Sequence, residues 1–79
     1  MEIELNLFAS LGEYLPDKET GNPNVLTLAD GITVGDLIAL LKIPVEAPRI
    51  IFLNGIHAGR DSVLKDGDRI GMFPPLAGG

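Results

Sequence analysis

Arg69-Ile70-Gly71-Met72-Phe73-Pro74-Pro75-Leu76-Ala77-Gly78-Gly79 joins a strand pattern to a tail with no turn between them. Alternation sends Ile70 and Met72 to one face and Arg69, Gly71 and Phe73 to the other. Pro74 and Pro75 fix φ and favour extended backbone, and Pro75 restricts Pro74 as well. Gly78 and Gly79 have no Cβ, so nothing shields the terminal carbonyl carbon, and the backbone can thread a slot too narrow for a side chain. Fully extended, the residues after Phe73 reach roughly 20 Å. A stiff root and a small tip are the geometry of a chain end delivered into another protein's pocket. The expectation is a flexible tail over 74–79 whose reactive group is its own terminal carboxyl.

Upstream, Glu2 to Ala9 alternates, with Ile3, Leu5 and Leu7 on one face and Glu2, Glu4, Asn6 and Phe8 on the other, as in a half-buried strand. Leu11 to Leu15 is short and stops at Pro16, which predicts one helical turn; polar Asp17 to Asn24, with Gly21 and Pro23, reads as a loop. Val25 to Leu28 is a second strand and Asp30-Gly31 a turn. Thr33-Val34-Gly35-Asp36 is a capping box with Asp in place of the usual Glu. Behind it, Val34, Leu37, Ile38 and Leu41 form one apolar helix face, which Ile43-Pro44 ends. Ile50-Ile51-Phe52-Leu53 is a continuous apolar run, as in a strand at mid-sheet. Asn54-Gly55 signals a hairpin into a short strand around Ile56 to Ala58, and Lys65-Asp66-Gly67-Asp68 turns into the last strand. The class is α+β: a mixed sheet of about five strands packed on one main helix.

Seventy-nine residues allow one domain, 1–79, and a domain this small buries only about 60% of its unfolded surface. The absence of cysteine excludes disulfides, thiolate metal ligands and a cysteine nucleophile, so the 46% of apolar residues must build the core. Six basic against eleven acidic residues give a net charge of -5, which argues against nucleic acid, since phosphate binding needs clustered Lys and Arg. Glu2 and Glu4 interrupt the opening residues, and no apolar run approaches the roughly 20 residues that span a bilayer. A soluble, cytoplasmic protein is expected.

Four stretches together resemble the β-grasp (ubiquitin-like) sulfur carriers, and more closely the MoaD family, the small subunit of molybdopterin synthase. They are Leu7-Phe8-Ala9-Ser10-Leu11, the apolar run closing on Asn54, Leu64-Lys65-Asp66-Gly67-Asp68-Arg69-Ile70, and Phe73 through Gly79. Gly12 departs from the pattern, standing where the family commonly has Arg, while Glu13 keeps the next position. The resemblance implies a carrier that is not itself a catalyst. An ATP-dependent adenylyltransferase of the MoeB/ThiF kind would turn the carboxyl of Gly79 into an acyl-adenylate, and sulfur from a donor protein would displace AMP to leave a thiocarboxylate. Gly78, Ala77, Leu76, Pro75 and Pro74 would thread the slot. The sulfur would pass to precursor Z in a MoaE-like large subunit, in a heterotetramer. No bound cofactor or metal is implied. The same fold also serves thiamine, tRNA-thiolation and tungsten-cofactor pathways and lysine-linked protein modifiers, and a plain interaction domain with an inert tail is the reading from another class.

If the first and last strands are parallel neighbours, as the resemblance implies, Phe8 and Phe73 meet on the outer face where the tail leaves. An exposed aromatic pair there suits partner docking. The competing reading folds both rings under the Leu11–Leu15 turn to complete the core. His57 reads as a surface loop residue. Asp61, Asp66 and Asp68 lack calcium-loop spacing and read as turn chemistry, and Lys18, Lys42 and Lys65 as solvated charges.

Overall fold

A computed structural model describes residues 1–75. In chain order the elements are β1 (Glu2–Leu7), a 3-10 helix (Ala9–Tyr14), β2 (Asn24–Thr27), α1 (Val34–Leu40), β3 (Ile50–Leu53), β4 (Ile56–His57) and β5 (Arg69–Phe73). One five-stranded sheet runs in the order β2-β1-β5-β3-β4. The β1–β5 pair is parallel and the others are antiparallel. This is the mixed sheet with one main helix expected from the sequence.

Alternation places the core as predicted. Ile3, Leu5 and Leu7 of β1 and Ile70 and Met72 of β5 are buried with Val34, Leu37 and Ile38 of α1. Leu11, Leu15, Ile43, Ile51 and Leu64 close the cluster. Leu37 is fully buried. Leu37→Ala is expected to cost about 2–5 kcal/mol, a large share of the roughly 5–15 kcal/mol typical of a whole domain, and urea unfolding measures it.

The capping box forms: Asp36 N–H donates to Thr33 Oγ1 (3.1 Å) and Thr33 N–H to Asp36 Oδ2 (2.9 Å). The next orphan donors of the helix reach the loop beneath it, Val34 N–H to Ser62 O (2.9 Å) and Gly35 N–H to Arg60 O (2.7 Å). A Cβ at position 35 would lie 3.2 Å from that carbonyl oxygen, so the close crossing favours glycine. Pro44 does not end the helix directly. Lys42 N–H donates to Ala39 O and Ile43 N–H to Ile38 O, a Schellman closure with Lys42 at φ 60 and Ile43 buried behind it.

Boundaries moved where the backbone turns. The first strand stops at Leu7 rather than Ala9, because Ala9 adopts φ 53 and starts the 3-10 turn two residues before Leu11. The second strand is shifted one residue towards the N-terminus, and β4 lacks Ala58. Asn54 (φ 53) and Gly55 (φ 80) make the tight hairpin turn that Asn-Gly favours. The Asn54 side chain also accepts from Arg69 N–H (2.9 Å) and donates to Asp68 Oδ1 (2.9 Å), tying this turn to the start of β5.

Candidate functional site

The core cluster contains Leu, Ile, Val and Met but no aromatic residue, although aromatics usually dominate burial. All three phenylalanines of the chain lie instead on the outer face of the sheet, one each on or beside β1, β3 and β5. Phe8 and Phe73 stack with ring centroids 4.4 Å apart and planes 8° from parallel. Phe52 meets Phe73 edge-on at 6.0 Å, and His57 meets Phe52 edge-on at 5.9 Å. The rings do not fold under the 3-10 turn; Leu11 and Leu15 fill that part of the core.

Register explains the cluster. Leu7 pairs with Met72 in the parallel ladder, so the residue after each, Phe8 and Phe73, emerges on the same face. Phe8 N–H donates to Met72 O (3.1 Å), which carries the alignment one residue past the strand. Gly71 lies between Asn6 and Phe52 in register, and a Cβ there would sit 3.4 Å from Phe8 Cε2. With no side chain at this position, Phe8 can lean across β5. An open hollow of about 410 Å3 remains over Gly71, walled by Phe8, Phe52 and Phe73. Glu4 and Arg69, partners in the β1–β5 register, line its far end and supply one charge of each sign.

The tail leaves from this cluster. Arg49 N–H donates to Phe73 O (2.8 Å), anchoring the end of β5, after which Pro74 is half-buried and Pro75 exposed. Leu76, Ala77, Gly78 and Gly79, expected to thread the slot and carry the reactive carboxyl, lie outside the described residues.

Phe52 is the member that sequence reasoning missed. In Ile50-Ile51-Phe52-Leu53 every residue is apolar, so periodicity gives no face; only the register that sets Phe52 opposite Gly71 in the neighbouring strand reveals it. His57 is exposed, as expected, but sits in β4 rather than a loop. Turn chemistry accounts for one of the three aspartates, Asp68, whose Oδ2 accepts from Lys65 N–H; Asp66 Oδ1 instead accepts from Glu2 N–H, tying the turn to the start of β1. Among the described residues no group of three or more His, Cys, Asp or Glu could hold a metal ion. No helix among them is long and apolar enough to cross a membrane.

The loop from Asp17 to Asn24 borders the site, and Pro23 lines the same hollow as Phe8. The loop is bonded to itself. Buried Asn24 accepts from Asp17 N–H (2.7 Å) and donates to Asp17 O (3.0 Å) and Gly21 O (2.7 Å). The Thr20 hydroxyl, followed by the Thr20 and Glu19 amides, holds the Asp17 carboxyl below its ordinary pKa.

Comparison with known proteins agrees with the fold. Residues 5–79 match the ThiS family. Small archaeal modifier protein 3 of Haloferax volcanii is 32% identical, with all of both chains aligned. A candidate molybdopterin converting factor subunit 1 from Pyrococcus furiosus has the same fold (TM-score 0.71, 27% identity, 96% of this chain and 99% of that one). The complex of subunits 1 and 2 of the molybdopterin-converting factor from Helicobacter pylori shares the fold at 23% identity, with a TM-score of 0.61 over the full length of both chains.

Proposed function

The chain belongs to the ThiS family of ubiquitin-like proteins, and from that premise we propose that it is a sulfur carrier acting through Gly79 in molybdopterin biosynthesis. The observation that carries this reading is the clustering of all three phenylalanines where β5 hands over to the tail. The folded body offers a docking face, and the tail extends from its edge.

A terminal carboxyl has a pKa of about 3.3–3.7, so it is ionised in a cell and a poor electrophile. An ATP-dependent adenylyltransferase would attach AMP to it and release pyrophosphate. Hydrosulfide supplied by a donor protein would then attack the carbonyl carbon and expel AMP, leaving a thiocarboxylate on Gly79. The docking face, with Phe8 and Phe73 at its centre, would seat successively on the adenylyltransferase and on a large synthase subunit that holds the acceptor, precursor Z. The chain itself supplies no acid, base or metal to these steps. The Pro-Pro-Leu-Ala-Gly-Gly ending and the likeness to converting-factor subunits favour the molybdopterin pathway. The Helicobacter complex of subunits 1 and 2 favours a large subunit as partner; a heterotetramer with a carrier at each end is what the family resemblance implies.

A second reading has its own support. The Haloferax relative is a protein modifier, so attachment of Gly79 to target lysines competes with sulfur transfer. Intact-mass analysis of the chain from its native host separates the two. Replacement of one oxygen by sulfur marks the thiocarboxylate, and a ladder of lysine-linked conjugates marks a modifier. Unaltered mass with no conjugates would sink both.

A further inference from the structure

The β1–β2 ladder stops one hydrogen-bonded pair too early to cover Leu7. Its register pairs Leu5 with Asn24, and two residues further on it would pair Leu7 with Asn22. Met1 and Leu28 exchange both backbone bonds (2.8 Å each), so every second pair from there, Ile3 with Leu26 and Leu5 with Asn24, is of the hydrogen-bonded kind. Leu7 with Asn22 would be the next. The backbone of Asn22 lies outside β2, but its side chain makes both bonds. Leu7 N–H donates to Asn22 Oδ1 (2.9 Å), and Asn22 Nδ2 donates to Leu7 O (2.9 Å). A carboxamide carries the same acceptor and donor as a peptide unit, so it can complete the ladder from the side.

We propose that Asn22 is a positioning residue for the docking face: its side chain completes the edge of β1 at Leu7 and thereby holds Phe8 in its stack on Phe73. Three observations support it. Leu7 is the residue immediately before Phe8, and among the described residues its outward edge has no other backbone partner, since Phe8 N–H and the parallel ladder engage β5 on the other side. The next residue, Ala9, turns at φ 53, so without Asn22 the strand would end unpinned on one side just before a sharp turn. The bonds that Asp17 and Asn24 make within the 17–24 loop preset the bracket that presents Asn22, which limits the ordering cost at β1. A serine or threonine could not span both Leu7 groups, because one hydroxyl offers one donor at one point.

The proposal rests on the carrier reading for its consequence but not for its geometry, and the test has one arm for each. In the first arm, proton NMR of the free chain reads the Phe8 ring through its ring-current shift on the Gly71 α protons. Asn22→Ala is expected to move those protons towards unperturbed values while the core methyl signals stay dispersed. Should Asn22→Ala fail to fold, Asn22→Asp, which keeps the acceptor and loses the donor, takes its place. In the second arm, the chain is the substrate in ATP–pyrophosphate exchange by the adenylyltransferase of its own host. Asn22→Ala is expected to raise KM about tenfold with little change in kcat, as for a weakened aromatic anchor. In a Phe8→Ala background it should add nothing, because both changes disable one unit. Ile3→Val, which trims the core without touching the outer face, should leave KM unchanged. Unmoved Gly71 signals, or a KM penalty that multiplies with that of Phe8→Ala, would overturn the assignment. A native chain that supports no exchange would instead overturn the carrier reading, and the NMR arm would still decide the role of Asn22.

Discussion

Deletion of Gly79 is expected to abolish adenylate and thiocarboxylate formation and to leave the fold intact. The new end would still be a glycine, so the change is one of reach rather than chemistry. One residue of extended chain is about 3.3–3.6 Å, and misplacement of a reacting atom by about 1 Å already costs on the order of a hundredfold. Docking cannot recover the distance, because Arg49 anchors Phe73 and two prolines stiffen the root of the tail. Stability should stay within about 0.5 kcal/mol of the parent, since Gly79 has no side chain to bury and, among the described residues, no member of the core cluster lies beyond Met72. Pyrophosphate exchange and urea unfolding on the same sample check both halves. Activation at the parental rate would mean that the reach of the last residue does not set the reaction and that a carboxyl on Gly78 serves as well.

Phe8→Ala is expected to weaken partner binding by a factor of about 30 or more, the effect of removing an interface anchor worth about 2 kcal/mol or above. Its stability cost should be far smaller than the roughly 3–5 kcal/mol of emptying a core Phe site. The ring is outside the core cluster, and its main internal partner is Phe73, a stacked pair worth about 0.5–1.5 kcal/mol beyond the area it covers. Titration of the variant against the adenylyltransferase or the large subunit gives the first quantity, and urea unfolding the second. If stability fell by several kcal/mol while affinity held, Phe8 would be a structural residue and the docking face would lie elsewhere.

The fold was largely legible because its signals are local. Period-two alternation in Glu2–Leu7 and Arg69–Phe73 gave the inward faces, and the capping box placed the start of α1 on its residue. The Asn54-Gly55 hairpin followed from the need for positive φ at both turn positions. Element ends were less legible. Ala9 and Lys42 adopt positive φ without being glycine, and a sequence gives no sign of that when tertiary packing imposes it. The site was legible in part: alternation put Phe8 and Phe73 on the outer face, but Phe52 was hidden in a run with no polar residue to mark its period.

By itself, the sequence determined which side chains face inwards, where the helix begins, and that a narrow Gly-Gly end follows a stiff root, because each depends on residues close in the chain. Only the tertiary structure decided that Phe52 joins the Phe8–Phe73 stack, that Gly71 leaves a hollow beneath it, and that Asn22 stands in for a strand beside Leu7. Those facts depend on the register between strands far apart in the chain. Loop closure and competing side-chain burial set that register, and no local pattern encodes it.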